Sequence, residues 1–360
     1  MARKITLTSG SVFNGNPITF QVQPNVITGT DSNKNTTYPS FHRVIMEVTC
    51  GMSGGNFEVI KMSAPVEEEK VTATVQIDIS SALRTFRDSY EYSPEATTYP
   101  LVKFCIRVYD EYMLDGEVKT RVGEMVYPAE VDGQPQYLCT LFGGFSDFAR
   151  FTSPTPIKGV IYFSRKPTDS PQTVAVGETF AYTPPFEKQA LLVNSASLVA
   201  PTSVVTTIDK KGLQAIGDQK VYALPAEEAK TRQVFRFINS FGVLESVSVP
   251  KVYSSKVSVS STSYAISRQE TFNKFSRSTV RKTNNCESWL YLTDPLTLNW
   301  LEWYMHEFLM AEHIWMYVKG IWLPCTITPG DDTTLFDNTQ QNPYTIAFTA
   351  KLDINGSPLI

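Results

Sequence analysis

Short runs of alternating apolar and polar residues fill the first 150 residues and predict strands separated by turns. The candidate strands are Ile5–Thr8, Ile18–Gln23, Arg43–Thr49, Phe57–Lys61, Val71–Ile77, Val102–Tyr109 and Arg121–Val126. Glycine-containing turns such as Asn14-Gly15 and Asp115-Gly116 separate them, and a short helix is predicted over Ala82–Arg87. Strands at this spacing are typical of an immunoglobulin-like β-sandwich, which we predict for residues 1–150.

The middle of the chain has a weaker strand pattern after a proline-rich break. Pro154 and Pro156 keep the chain extended and remove backbone donors, which marks a boundary. The candidate strands beyond it are Gly159–Ser164, Ala190–Val193, Ser203–Ile208 and Lys220–Leu224. We predict a small β-rich domain over residues 157–231, and its independence from its neighbours stays open.

The pattern is sharpest in residues 232–360, which we predict to be a C-terminal β-domain. Its candidate strands are Gln233–Ile238, Val243–Val249, Lys256–Ser263, Ser278–Thr283 and Tyr344–Ile354. The whole chain is thus predicted to be mainly β. The predicted fold is a set of tandem β-sandwich domains, with one amphipathic, tryptophan-rich helix packed on the last of them.

That helix is predicted over residues 295–311 and is followed by a hairpin over residues 314–327. Asp294 is a suitable N-cap, and Pro295 suits the first helical position because its missing N–H costs nothing there. The hairpin reverses at Lys319-Gly320, where glycine can take a positive φ.

The stretch Trp289–Thr328 contains all five tryptophans of the chain. Several apolar residues of the helix fall on one stripe, and Trp300 and Trp303 widen the apolar surface beyond what one core-facing stripe needs. Aromatic residues at this density are typical of a core or an interface, while a sugar-binding platform is the alternative. We predict an interface that includes Trp300, Trp303, Tyr304, Phe308, Trp315 and Trp322.

Arg268–Lys282 combines basic residues with two phenylalanines. Such a segment could track a nucleic-acid backbone, but the chain has a net charge of −4 and no recognisable nucleic-acid-binding motif. We therefore expect no specific nucleic-acid partner. Instead, Arg268, Lys274 and Arg277 are predicted to contact acidic residues of a neighbouring subunit.

No catalytic, metal or cofactor site is predicted, and we expect a protein that is not an enzyme. The chain has three histidines, and His306 and His313 lack the spacing of a zinc-binding helix motif. The five cysteines are widely spaced and suit buried thiols. A Cys–His pair or two carboxylates that meet only in the folded chain stay open.

The N-terminal residues lack the apolar segment of a secretory signal, and no run is long enough to span a membrane. We therefore expect synthesis and folding in the cytoplasm of the producing cell, with no membrane partner.

Several segments resemble virion proteins of Bacteroidetes phages and prophages. They are the hairpin run Val234–Val247, Ser267–Ser276, the W-x-x-W-Y-x-x-E-F-L-M helix Trp300–Met310, Leu352–Leu359, Asp78–Arg84 and Tyr109–Met113. The resemblance implies a structural protein of tail, ring or baseplate type, located in the virion. It also implies a symmetric ring of identical copies in contact with other virion proteins. A β-sandwich carbohydrate-binding protein or adhesin is the first alternative, and a glycan-degrading enzyme is the second.

Overall fold

The computed structural model of the chain describes residues 4–9, 13–67, 74–95, 97–143, 160–187, 200–251, 254–266, 277–330 and 344–353. The predicted fold class is confirmed, because the chain is mainly β with a short helix near the C-terminus. The chain divides into two compact units. Unit 1 comprises Met1–Phe163, Pro185–Thr202 and Ser240–Val243, and unit 2 comprises Ser164–Pro184, Ser203–Asn239 and Leu244–Ile360.

This division differs from the three predicted domains, because the predicted middle domain is shared between the two units. Residues 164–184 and 203–231 belong to unit 2, whereas residues 185–202 belong to unit 1. The predicted strand Ala190–Val193 lies outside the described residues. A small core of Val174, Phe180, Ile208, Val221 and Ala223 does form, but inside unit 2.

The first half of the chain supplies most of unit 1. Its elements are β1 (Ile5–Ser9), β2 (Thr19–Val22), β3 (Gly29–Thr30), β4 (Thr36–Thr37), β5 (Phe41–Met52), β6 (Glu58–Pro65), β7 (Val75–Asp78), α1 (Ser80–Asp88), β8 (Val102–Leu114), β9 (Glu117–Tyr127), β10 (Leu138–Thr140) and β11 (Val160–Ile161). They form a three-stranded sheet, β1-β2-β7, and a five-stranded sheet in which β8 pairs with β5, β9 and β10, and β5 pairs with β6.

Contacts between these sheets explain their burial. The Phe20 ring of β2 is fully buried and lies 5.7 Å from the Tyr127 ring of β9. In β5, residues 44–48 are all buried, which means that this central strand is covered on both faces. The helix α1 contacts β5 and buries Leu83 and Phe86. At its start, the Asp78 carboxylate accepts a hydrogen bond from the Ser80 N–H at 2.9 Å.

The second half of the chain supplies the remaining elements. They are β12 (Gln172–Ala175), β13 (Thr179–Tyr182), β14 (Phe186–Glu187), β15 (Val204–Thr207), β16 (Gly212–Ile216), β17 (Gln219–Leu224), a 3-10 helix (Ala226–Thr231), β18 (Arg232–Ile238), β19 (Leu244–Pro250), β20 (Ser254–Ile266), β21 (Arg277–Leu292), α2 (Leu298–Trp303), a π-helix (Tyr304–Phe308), β22 (Ile314–Val318), β23 (Ile321–Pro329) and β24 (Ala347–Leu352). β14 pairs with β11 in unit 1, and the others belong to unit 2.

Unit 2 is built on an antiparallel seven-stranded sheet in the order β19-β18-β22-β23-β24-β21-β20. The predicted hairpin over residues 314–327 is confirmed as β22 and β23. Lys319 and Gly320 have φ values of 48° and 92°, as a two-residue type I′ turn requires. The helix α2 and the π-helix pack against this sheet.

The predicted helix over residues 295–311 is too long at both ends. Leu296 exchanges two backbone hydrogen bonds with Tyr344, at 2.7 and 3.0 Å, which keeps it out of the helix. At the other end, the Leu309 N–H donates to the Tyr304 carbonyl, so the last turn is π-helical. A pairing partner distant in sequence therefore sets the start of the helix.

Candidate functional site

The predicted aromatic interface is mostly the core of unit 2. Trp300, Trp303 and Phe308 are 5%, 3% and 0% exposed, and Tyr304 and Trp315 are also buried. The Phe308 ring lies 5.6 Å from that of Phe235 in the seven-stranded sheet. Because these five side chains are enclosed by their own chain, predicting them as an intermolecular interface is wrong.

The wide apolar surface of the helix is buried because two different layers cover it. The seven-stranded sheet covers the side that carries Phe308. The segment before β12 covers another side, where the Trp300 Nε1–H donates to the Ser170 carbonyl at 3.3 Å and the Asn299 amide donates to the Asp169 carboxylate at 2.7 Å. The sequence alone does not show that a segment more than a hundred residues away covers the second side.

The remaining predicted interface residues have different outcomes. Trp322 is half-buried, and the Arg236 guanidinium lies 4.2 Å from its ring centroid. An interface role for Trp322 stays a prediction. Arg268 and Lys274 lie outside the described residues, and Arg277 is described only as the first residue of β21.

A buried polar layer lies beside the aromatic core and was not predicted. Lys166 Nζ donates to the Ser246 carbonyl at 2.9 Å and lies 4.7 Å from the Phe180 ring centroid and 5.5 Å from that of Trp303. Burial lowers the pKa of Lys166 and raises that of Glu245, and the opposite charges partly offset both shifts. These side chains are almost fully enclosed, so we assign this layer a structural role.

In unit 1, a fully buried carboxylate, Asp110, lies beside a histidine at the wall of a small pocket. Asp110 accepts from the Asn25 N–H at 3.0 Å, and its other oxygen lies 3.5 Å from His42 Nε2. Tyr38 and Glu67 line the same pocket. This geometry does not identify a substrate, and the 67 residues between His42 and Asp110 hide the pair from sequence inspection.

The thiols of the described cysteines are poor nucleophiles. Cys50, Cys105, Cys139 and Cys325 are free and buried. Burial raises the pKa of the Cys50 and Cys325 thiols to about 12, so both stay protonated near neutral pH. In the described part of the chain, no group of three or more His, Cys, Asp or Glu residues lies close enough to hold a metal ion.

One edge of the seven-stranded sheet is closed by side chains. At β19, the Ser246 carbonyl accepts from Lys166 Nζ and from Gln172 Nε2, at 2.9 and 3.2 Å. The Ser248 carbonyl accepts from Arg232 Nη2 at 2.8 Å. Because these outward carbonyls already have donors, β19 presents little free backbone to another strand.

At the opposite edge of the sheet, β20 and β21 continue as a two-stranded extension. β20 and β21 pair from Ser254↔Leu290 to Ile266↔Arg277, but β24 pairs with β21 only over 288–292. Residues 259–266 and 277–284, which we call the ribbon, therefore extend past the sheet by roughly 25 Å at about 3.4 Å per residue. Among the described residues, no strand pairs with either outer edge of the ribbon.

This ribbon is the best candidate for a functional surface. A two-stranded hairpin is marginally stable alone in water, and its unpaired N–H and C=O groups can bind another strand. Its sequence was predicted as two shorter strands, Lys256–Ser263 and Ser278–Thr283, and their length and register appear only in the structure.

No described helix is both long and apolar enough to span a membrane. No protein-family model matches the chain, and no curated protein and no solved structure matches it significantly.

Proposed function

We propose that this chain is a non-enzymatic structural component of a phage or prophage virion tail. It would belong to a ring, a baseplate or a tail-associated part, and would assemble by contacts with copies of itself and with other virion proteins. The resemblance of segments such as Val234–Val247 and Trp300–Met310 to Bacteroidetes phage proteins supports the virion context.

The ribbon is the observation that carries the assembly part of the proposal. One edge of the sheet, at β19, is closed by Lys166, Gln172 and Arg232, while the other edge extends into a ribbon without a described partner strand. A sheet with one closed and one open edge favours a directional contact, in which the ribbon meets a different surface of its partner. Directional contacts of this kind form closed rings when the rotation between copies is right.

The alternatives receive less support from the geometry. A sugar-binding platform needs exposed rings, whereas Trp300 and Trp303 are buried beneath two layers. A glycan-degrading site needs two carboxylates that face a cleft, whereas Glu245 and Glu307 lie inside the packed layer of unit 2. No specific observation favours either alternative.

The oligomeric state of the purified chain tests this proposal. Multi-angle light scattering and negative-stain electron microscopy are expected to show species of several chains whose share grows with concentration. A mass of one chain, 40.3 kDa, at every accessible concentration would contradict the proposed function.

A further inference from the structure

We infer that Lys166 and Gln172 form an intramolecular isopeptide bond, in which the lysine amine replaces the amide nitrogen of the glutamine. Both side chains belong to the segment that closes the β19 edge, and the bond locks that segment in place. It is a single reaction of the chain with itself, without turnover, and it does not depend on the proposed assembly function.

The two reacting groups meet at one backbone oxygen. Lys166 Nζ and Gln172 Nε2 both donate to the Ser246 carbonyl, at 2.9 and 3.2 Å, so these nitrogens lie at most about 6 Å apart. The amide carbon Cδ of Gln172 is bonded to that Nε2, and an attacking atom has to come within roughly 3–3.5 Å of it. A small change of the lysine rotamer therefore brings Nζ to the amide carbon.

The surroundings exclude water, which would otherwise compete with the amine. Lys166 and Gln172 are buried, and the ring centroids of Phe180 and Trp303 lie 4.7 and 5.5 Å from Lys166 Nζ. Among the described residues, none is a hydrogen-bond partner of Gln172 Oε1. Negative charge develops on this oxygen when an amine attacks the amide, so it is placed to accept a proton from an acid.

Glu245 is the acid whose charge acts most strongly on Lys166. Burial lowers the pKa of Lys166 and raises that of Glu245, and Asp218 and Glu307 are the other charged neighbours of the pair. Arg165 in turn lies 3.6 Å from the Glu307 carboxylate. The lowered lysine pKa provides a neutral, nucleophilic amine near neutral pH, and the raised carboxyl pKa keeps a proton available there.

The reaction balances without a co-reactant. The neutral Nζ of Lys166 attacks Cδ of Gln172 while Glu245 gives its proton to Oε1. Glu245 then carries a proton from Nζ to the amide nitrogen and takes back the proton of Oε1 as the Cδ–Nε2 bond breaks and ammonia leaves. Glu245 ends protonated, as it began. The charged Lys166 beside Glu245 is the unreacted state, and the new amide N–H can still donate to the Ser246 carbonyl.

Intact-mass spectrometry of the full chain tests the inference. Incubation at mildly alkaline pH is expected to lower the mass by about 17 Da, the mass of ammonia, whereas mildly acidic pH keeps Lys166 charged and the mass unchanged. Gln172→Met is expected to keep the full mass. The matched control, Gln219→Met, replaces another buried glutamine and is expected to lose ammonia like the wild type. Circular dichroism confirms that each variant folds.

Peptide mapping locates the bond. Trypsin does not cleave between Lys166 and Pro167, so residues 166–188 stay in one peptide. Once the bond has closed a ring, breaking the backbone between Lys166 and Gln172 is expected to release no separate fragments. Glu245→Gln is expected to slow the loss of ammonia at least about tenfold and to remove its rate maximum near neutral pH.

The outcomes decide the inference separately from the assembly function. A wild-type mass that stays full at every pH overturns it, as does a loss of ammonia that maps to Asn239 or to any pair other than Lys166 and Gln172. An equal loss of ammonia in Gln172→Met overturns it too, even where the wild type assembles. A mapped bond in a chain that stays monomeric supports the inference while the assembly function falls.

Discussion

Replacing Phe308 by alanine tests whether the aromatic helix belongs to the core of unit 2. The Phe308 ring lies 5.3–5.8 Å from those of Phe237, Phe235, Phe348 and Tyr304, and none of its surface is exposed. Truncating a buried phenylalanine costs about 3–5 kcal/mol, and loss of several ring pairs favours the upper end of that range. We expect the free energy of unfolding of unit 2 to fall by about 4 kcal/mol.

Denaturant unfolding followed by tryptophan fluorescence measures this loss selectively. All five tryptophans lie between residues 289 and 322, within unit 2, so the signal reports that unit. The matched control is Met310→Ala, because Met310 is 68% exposed two residues further along, and its effect is expected within about 0.5 kcal/mol. A loss below about 1 kcal/mol for Phe308→Ala, or a loss of assembly with unchanged stability, would refute the core interpretation.

Three further predictions concern the buried polar layer, the thiols and the hairpin turn. Lys166→Met leaves Glu245 buried without its counter-charge, so we expect a loss of about 3 kcal/mol by denaturant unfolding at neutral pH. Burial raises the folded-state pKa of Glu245, so this loss should shrink as the pH falls and the carboxyl protonates. A loss of stability that does not depend on pH would contradict the interpretation that Lys166 compensates the charge of buried Glu245. Cys50, Cys105, Cys139 and Cys325 should resist alkylation until the chain unfolds, and rapid labelling of any of them by mass spectrometry would be inconsistent with their burial. Gly320→Ala should lower the free energy of unfolding by about 1 kcal/mol, because alanine is strained at the φ of 92° although no atom lies near the added Cβ. An unchanged midpoint of denaturant unfolding would argue against the type I′ turn.

Strands that bury one or both faces could be predicted from the sequence. Arg43–Thr49 and Val102–Tyr109 were predicted from their alternating apolar and polar residues, and they form the middle of β5 and the first eight residues of β8. The turn at Lys319-Gly320 was predictable because its geometry demands residues that tolerate positive φ. The sequence pattern was sufficient to predict an element wherever residues close in sequence determine that element.

Long-range packing decided the features that the sequence did not predict. The helix is covered on its second side by Ser170, 130 residues before Trp300, so its excess apolar surface is core rather than interface. Lys166 meets the Ser246 carbonyl across 80 residues, which no spacing rule anticipates. The ribbon could not be predicted from the sequence, because its start is set by the short pairing of β24 with β21.

Hydrogen–deuterium exchange of the ribbon during assembly tests the central claim most directly. Amides of residues 259–266 and 277–284 are to be compared between the dilute chain and the concentrated chain, with the fraction of multi-chain species measured in the same samples. The account predicts that protection of the ribbon rises with assembly, while protection around Trp300 and Trp303 is already high in the dilute chain. Exchange in the ribbon that stays unchanged as multi-chain species form would contradict it.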